Sequence, residues 1–229
     1  MKLLNKIYLK FLNKLRYDLE KNPKTSNVIK ITKESFIHKS VKLQNARISG
    51  NITIGKGTKI AGGVIINANS KVDIGNYTSI NGPNTDIYAK INDVKIGSFC
   101  SIARNVQFQE FDHKFSNFTT YHFHRNILKT DIRDDIESKG NIEIGNDVWI
   151  GTQCVILSGA KVSHGAVIAA NSVVTGEIPP YAIVAGSPAK VIKYRFNENQ
   201  IKHLLRINWW DQDLSNLMNS YNSILNEKV

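Results

Sequence analysis

The chain of 229 residues carries 30 Lys plus Arg against 19 Asp plus Glu, a formal net charge of +11. That balance favours an anionic partner such as a lipid head group or a phosphorylated cofactor, whereas nucleic acid is disfavoured because no recognised reading motif accompanies the charge. Two cysteines provide neither a disulfide framework nor a metal-ligand spacing, and no apolar run reaches the ~18 residues of a membrane-spanning helix.

Residues 2–20 read as an amphipathic helix, with Leu4, Ile7, Phe11, Leu15 and Leu19 on one face and Lys2, Lys6, Lys10 and Lys14 in a row on another. It is expected to end near Asn22-Pro23, because the residue before proline is pushed out of helical space. Two readings of this helix stay open: docking on the rest of the protein or a subunit neighbour, and attachment to an anionic membrane surface. Charges recur through the N-terminus and no apolar stretch of signal-peptide length follows, so a cytoplasmic protein is expected, with residues 2–20 offering peripheral contact to the membrane's inner face.

From Ile48 an aliphatic residue recurs every six positions, at Ile54, Ile60, Ile66 and Val72, and the row then shifts by two to Ile74 and Ile80. Such a shift implies a small bulge or insertion at a corner. Residues 84–93 are the least periodic, and by Ile96, Ile102 and Phe108 the original frame has returned. Between Gln109 and Gly140 the repeat stops altogether. Long irregular insertions in repeat folds are usually functional, and this one holds His113, Phe115, Tyr121, His122, Phe123, His124 and Arg125, so the acceptor site is expected here.

The repeat is cleanest from Ile144 to Ile178: Ile144, Ile150, Ile156, Val162, Ile168 and Val174 form the aliphatic row. Four residues after each stand Val148, Cys154, Ala160, Ala166, Ser172 and Ile178, mostly small. A period of six is neither helical nor a simple strand alternation. It predicts a hexapeptide β-helix, with three flat faces per turn and the aliphatic row stacked inside. Cys100 and Cys154 fall at inward small positions, which makes packing their expected role. Residues 197–208 read as a helix with Asn197 as cap, followed by Trp209-Trp210-Asp211. The resulting organisation is an N-terminal helix over 1–22, a β-helix domain over 23–196 with the loop 109–140, and a C-terminal helical segment over 197–229.

The runs GNDVWIG at 145–151, IAANSVV at 168–174 and PPYAIVAGSPAKVIKYRF at 179–196, with the WWD run, resemble the hexapeptide-repeat acyltransferases. More narrowly they resemble the xenobiotic acetyltransferase-like branch, which includes chloramphenicol and streptogramin O-acetyltransferases and many surface-polysaccharide O-acetyltransferases. The resemblance implies a left-handed parallel β-helix, an all-β fold, assembled as a homotrimer with one active site at each subunit boundary. It implies acetyl-CoA as co-substrate and no metal.

Acyl transfer to a hydroxyl needs a base, and the unperturbed pKa of histidine, about 6.5, suits it. The run EFDHKFSNFTTYHF at 110–123 is similar to the family's loop motif. By that resemblance His113 takes the proton as the acceptor oxygen attacks the thioester directly, without an acyl-enzyme. Asp112, as a possible orienter of an imidazole, and Phe115, Tyr121 and His122 are the expected acceptor-side residues. The resemblance puts the pantetheine arm against Trp149, Gly151, Thr152, Ala169 and Ala170, although a core role for Trp149 stays open. It puts phosphate or adenosine contacts at Thr175, Lys190, Lys193 and Arg195, while Gly176 stands where relatives often carry Lys.

The coils before Ile96 and the basic N-terminus favour a carbohydrate acceptor, a sugar hydroxyl of a surface polysaccharide or its precursor. Antibiotic O-acetylation, amino-sugar N-acetylation and a non-catalytic β-helix scaffold remain as alternatives.

Overall fold

The computed structural model describes residues 27–218, so the amphipathic segment 2–20 lies outside the described residues. Within them the chain winds into a parallel β-helix of three faces. Register along the faces shows why a period of six was visible. On the first face Ile48, Ile66, Ile87, Phe108, Ile156 and Val174 stack in one row. The second stacks Ile54, Ile74, Ile96, Ile144, Val162 and Ile178. The third stacks Leu43, Ile60, Ile80, Ile102, Ile150, Ile168 and Val184. Strands about 4.8 Å apart bring each aliphatic side chain against its copies above and below, and apart from Leu43 every member of these rows is at most 6% exposed. β-Branched residues suit this flat, stacked surface.

The small positions lie at the corners, where the interior narrows. Val148, Cys154, Ala160, Ala166 and Ser172 are buried as expected. Ile178 is different: it pairs with Val162 in the aliphatic row, because the corner at Thr175-Gly176 is two residues shorter than in the preceding coil. Buried hydroxyls at these positions are satisfied by the neighbouring coil, Thr58 Oγ1 donating to Gly75 O and Thr78 Oγ1 to Gly97 O, both at 2.7 Å.

The shift is a corner insertion that lies before Val72, not after it, so Val72 pairs with Ile52 and the row runs from Ile66 to Ile74. Gly50 pairs with Ala68 but Asn51 with Lys71, so Asn69 and Ser70 are extra. Asp93 from the next coil holds this corner, its Oδ1 accepting from Ser70 Oγ and from Lys71 N. Further extra residues at the corners before Ile87 and Ile96 make the excess up to a full hexapeptide, which restores the frame at Ile96. Glu110, 1% exposed, holds the last of these corners. Its carboxylate accepts from the backbone N–H groups of Lys90, Ile91 and Asn92 at 2.6, 3.0 and 3.2 Å.

One coil escaped the periodicity. Val28–Ile31, Phe36–Ile37 and Lys42–Gln44 already wind around the axis, with uneven spacing between Ile29, Ile37 and Leu43, which stand in register with Ile48, Ile54 and Ile60. At the other end, Lys190–Tyr194 folds back antiparallel on Ala182–Ala185. Helix α1 (Glu198–Ile207) follows, with Asn197 as cap in a reciprocal capping box with Gln200.

Candidate active site

The long insertion leaves the first face after Gln109 and rejoins the second at Ile142. Its neck is a short antiparallel pair, Asp112–His113 against Ile136–Glu137. Ser138 ties the neck to the solenoid: its Oγ donates to Glu110 O and accepts from Asn92 Nδ2. Within the loop, Asp135 is 2% exposed and receives the backbone N–H groups of His124 and Arg125 at 2.9 and 2.8 Å. Burial alone would raise the Asp135 carboxyl, but these donors, with the charges of His124 and His122, hold it below the ordinary value. Asp135 thereby starts the single π-helical turn His124–Leu128.

His113 is exposed on this neck, and its Nδ1 lies 2.6 Å from the carbonyl oxygen of Thr120. A carbonyl only accepts, so Nδ1 carries the hydrogen, and in the neutral ring Nε2 keeps its lone pair. That is the tautomer a general base requires. The imidazole is oriented by Thr120, not by Asp112, because adjacent residues of an extended strand point to opposite sides. His122 stacks on His113, with ring centroids 4.2 Å apart and planes 9° from parallel. Asp112 and Phe115 instead line a separate hollow of about 340 Å³ with Glu137, Ser138, Lys139 and Ser158. The expected acceptor residues therefore divide between two sides of the neck. Tyr121 is exposed beside His122.

A larger groove, of about 800 Å³, opens on the third face and its corner. Trp149, Gly151, Thr152, Ala169, Ala170 and Arg195 all line it. Trp149 is 56% exposed and so is no core tryptophan. Being one residue from the inward Ile150, it points outward, in a cross-strand row with Ser101, Val167 and Ile183. Lys193 continues that row beside Ile183. Lys190 is exposed on the same terminal strand. Thr175 sits elsewhere, at the corner between the first and second faces.

Arg195 at the groove rim is held in place. Its Nη1 donates to Asp147 Oδ2 at 2.8 Å and to Gly165 O at 2.7 Å, and the guanidinium lies over the rings of Tyr181 and Phe196 at 5.3 and 5.1 Å. That engagement gives it a structural duty that charge alone does not reveal. Burial pushes the Asp147 carboxyl up, and Arg195 offsets part of the rise. The WWD turn packs on the neighbouring corner, Trp209 against Phe99 and Trp210 stacked on His164 at 4.6 Å. Among the described residues no group of three or more His, Cys, Asp or Glu could hold a metal ion.

The pattern of the bacterial transferase hexapeptide, six repeats, matches residues 141–176. A chloramphenicol acetyltransferase of Klebsiella aerogenes is 38% identical over 133 residues, 56% of this chain and 63% of that protein. The match thus spans less than two thirds of that relative's length. A protein of Escherichia coli (strain K12), provisionally named as the lipopolysaccharide biosynthesis O-acetyl transferase WbbJ, is 32% identical over 153 residues, 66% of this chain and 72% of the relative. The chain belongs to the hexapeptide-repeat acyltransferases.

Among solved structures, that of the polySia-specific acetyltransferase NeuO is similar with a TM-score of 0.53 at 28% identity, over 74% of this chain and 83% of NeuO. Against that background two features of this acyltransferase lay beyond sequence reading. The Thr120 carbonyl and the Asp135 carboxylate shape the histidine's surroundings, yet a backbone oxygen carries no sequence signal and nothing local sets Asp135 apart from Asp131 and Asp134 beside it.

Proposed function

We propose that this hexapeptide-repeat acyltransferase is an acetyl-CoA-dependent O-acetyltransferase that acts on a sugar hydroxyl of a surface polysaccharide or its precursor. The observation that carries the reading is the His113–Thr120 hydrogen bond, which leaves an exposed imidazole with its Nε2 lone pair outward. Nε2 accepts the proton of the acceptor hydroxyl as that oxygen attacks the thioester carbonyl, and the imidazolium then returns it to the departing sulfur. The groove supplies the donor side: its volume falls in the range of cofactor sites, its floor is Trp149, Val167 and Ile183, and Lys193 stands next in the row for an anionic end.

The neck bearing His113 leaves the corner between the first and second faces, whereas the groove opens on the third. No residue of the loop lines that groove. Such a separation supports a site completed between copies, and hence a homotrimer. The carbohydrate reading draws on relatives: WbbJ and NeuO, whose names refer to lipopolysaccharide and polySia, match over 66% and 74% of this chain, against 56% for the chloramphenicol acetyltransferase. Antibiotic O-acetylation is the second reading, favoured by the higher identity of that relative.

The test is thiol release from acetyl-CoA with a panel of nucleotide sugars, oligosaccharides, chloramphenicol and a streptogramin A compound. Wild type should release thiol with a sugar acceptor, and His113→Ala should lose roughly 100-fold or more of that rate. Equal rates in the two proteins would remove His113 as base. Release with an antibiotic alone would replace the carbohydrate reading with the second.

A further inference from the structure

The insertion holds a second imidazole that the proposed chemistry leaves without a task. Two contacts restrain His113 in different directions. The Thr120 carbonyl engages Nδ1 at 2.6 Å and opposes a ring flip, and the His122 ring lies flat against it at 4.2 Å and opposes tilting. His122 is itself well anchored, because its carbonyl receives Asn126 N at 2.9 Å and Asp135 fixes the two residues that follow Phe123.

The charge state of His122 follows from its surroundings. Its Nε2 is buried without a hydrogen-bond partner, so a proton there would be a buried donor with no acceptor. Burial lowers its pKa, the charges of His113, Arg125 and Lys90 act the same way, and Asp135 alone opposes them. A neutral ring beside His113 does not repel the imidazolium that proton transfer creates, as a cation would.

We propose that His122 is a positioning residue for His113: a neutral stacking platform that, with the Thr120 carbonyl, holds the base with Nε2 turned outward. This rests on the reading of His113 as general base and replaces the expectation that His122 contacts the acceptor. The stacking surface matters and the ring nitrogens do not. Loss of the platform lowers kcat, by roughly 10- to 100-fold for a misplaced catalytic group, and leaves KM for acetyl-CoA unchanged.

The experiment uses full-length protein labelled with 15N-histidine, read by long-range 1H–15N spectra in wild type, His122→Phe and His122→Ala, with His113→Gln to identify the His113 signals. The Nδ1–H tautomer of His113 is expected in wild type and in His122→Phe. In His122→Ala the ring is free to tilt out of line with the Thr120 carbonyl, so the hydrogen bond that fixes the tautomer should be lost and the averaged tautomers of a free side chain should replace it, while the His164 signals stay put and report an intact solenoid. A fixed Nδ1–H tautomer in His122→Ala would overturn the proposal.

Thiol release from acetyl-CoA, with whichever oligosaccharide or chloramphenicol acceptor wild type acetylates, adds a second reading. Phe should restore most of the kcat that Ala loses. Phe as inactive as Ala, or a raised KM for the acceptor at unchanged kcat, would overturn the platform in favour of a role for the nitrogen. If wild type acetylates neither acceptor, the spectra decide alone. Should His113→Ala keep full activity, the base assignment fails, independently of what the His122 spectra report.

Discussion

A thiol stacked inside a solenoid has no water into which to ionise. Cys100 is 1% exposed with its Sγ 3.1 Å from Gly145 O, and burial pushes its pKa up to about 12. Cys154 is fully buried, its Sγ lies 3.1 Å from Ala169 O, and burial shifts it in the same direction. Native protein should therefore leave a water-soluble disulfide reagent unreacted, and both thiols of the chain should react once it is denatured. A fast-reacting native thiol would contradict this packing. The period of six already places both cysteines inward. By contrast, nothing in the local sequence distinguishes Arg195 as the partner of Asp147, because that ion pair joins residues 48 positions apart.

Corners are the elements where this fold departs from its repeat, and side chains from neighbouring coils compensate there. Glu110 accepts three backbone N–H groups and the Asn92 side chain at one such corner. Glu110→Ala would leave those half-buried donors unpaired and a cavity where the buried Glu110 side chain was, so a loss of about 1–3 kcal/mol is expected in chemical denaturation. An unchanged midpoint would deny the corner its dependence on Glu110. A second corner carries a column of acceptors: Asn76 N donates to Ser98 Oγ, Ser98 N to Asn146 Oδ1, and Asn146 N to His164 Nδ1 at 2.9 Å. His164 must be unprotonated at Nδ1 to accept. Burial lowers its pKa below 6.5, with Asp211 partly opposing. The unfolded chain therefore binds the proton first, and this contribution to stability is complete above pH 6.5 and declines as pH falls toward the lowered folded value. Thermal midpoints between pH 7 and 5, followed by tryptophan fluorescence, should drop less in His164→Asn than in wild type. Parallel slopes would show that His164 does not carry the effect.

At the scale of the whole molecule, the prism separates what a one-chain site would need together. The histidine-bearing loop springs from one corner and the groove occupies the opposite face. If copies complete each other's sites, co-refolding inactive His113→Ala with an inactive groove-blocked Ala170→Trp chain should regenerate roughly a quarter of wild-type activity or less, since only mixed boundaries pair a good loop with a good groove. No recovery from well-folded mixed oligomers would point to sites built within single chains. Repetition made most of this architecture legible in advance. Each coil contacts only its neighbours, so the local six-residue period from Ile48 to Ile66 and from Ile144 to Val174 carries the same information as the three-dimensional stack. The sequence by itself determined the β-helix, the existence of a corner shift by two before Ile74, the position of the insertion and the Asn197 helix cap, while its row wrongly included Val72. It put the first coil inside the β-helix domain without a period to show it, because the spacing there is uneven, and it missed the shortened corner that moves Ile178 into the aliphatic row. Only the tertiary structure decided the tautomer of His113, the stacking of His122, the engagement of Arg195 and the outward turn of Trp149. Those depend on backbone oxygens and on contacts between residues distant in the chain, where no period exists to reveal which groups meet.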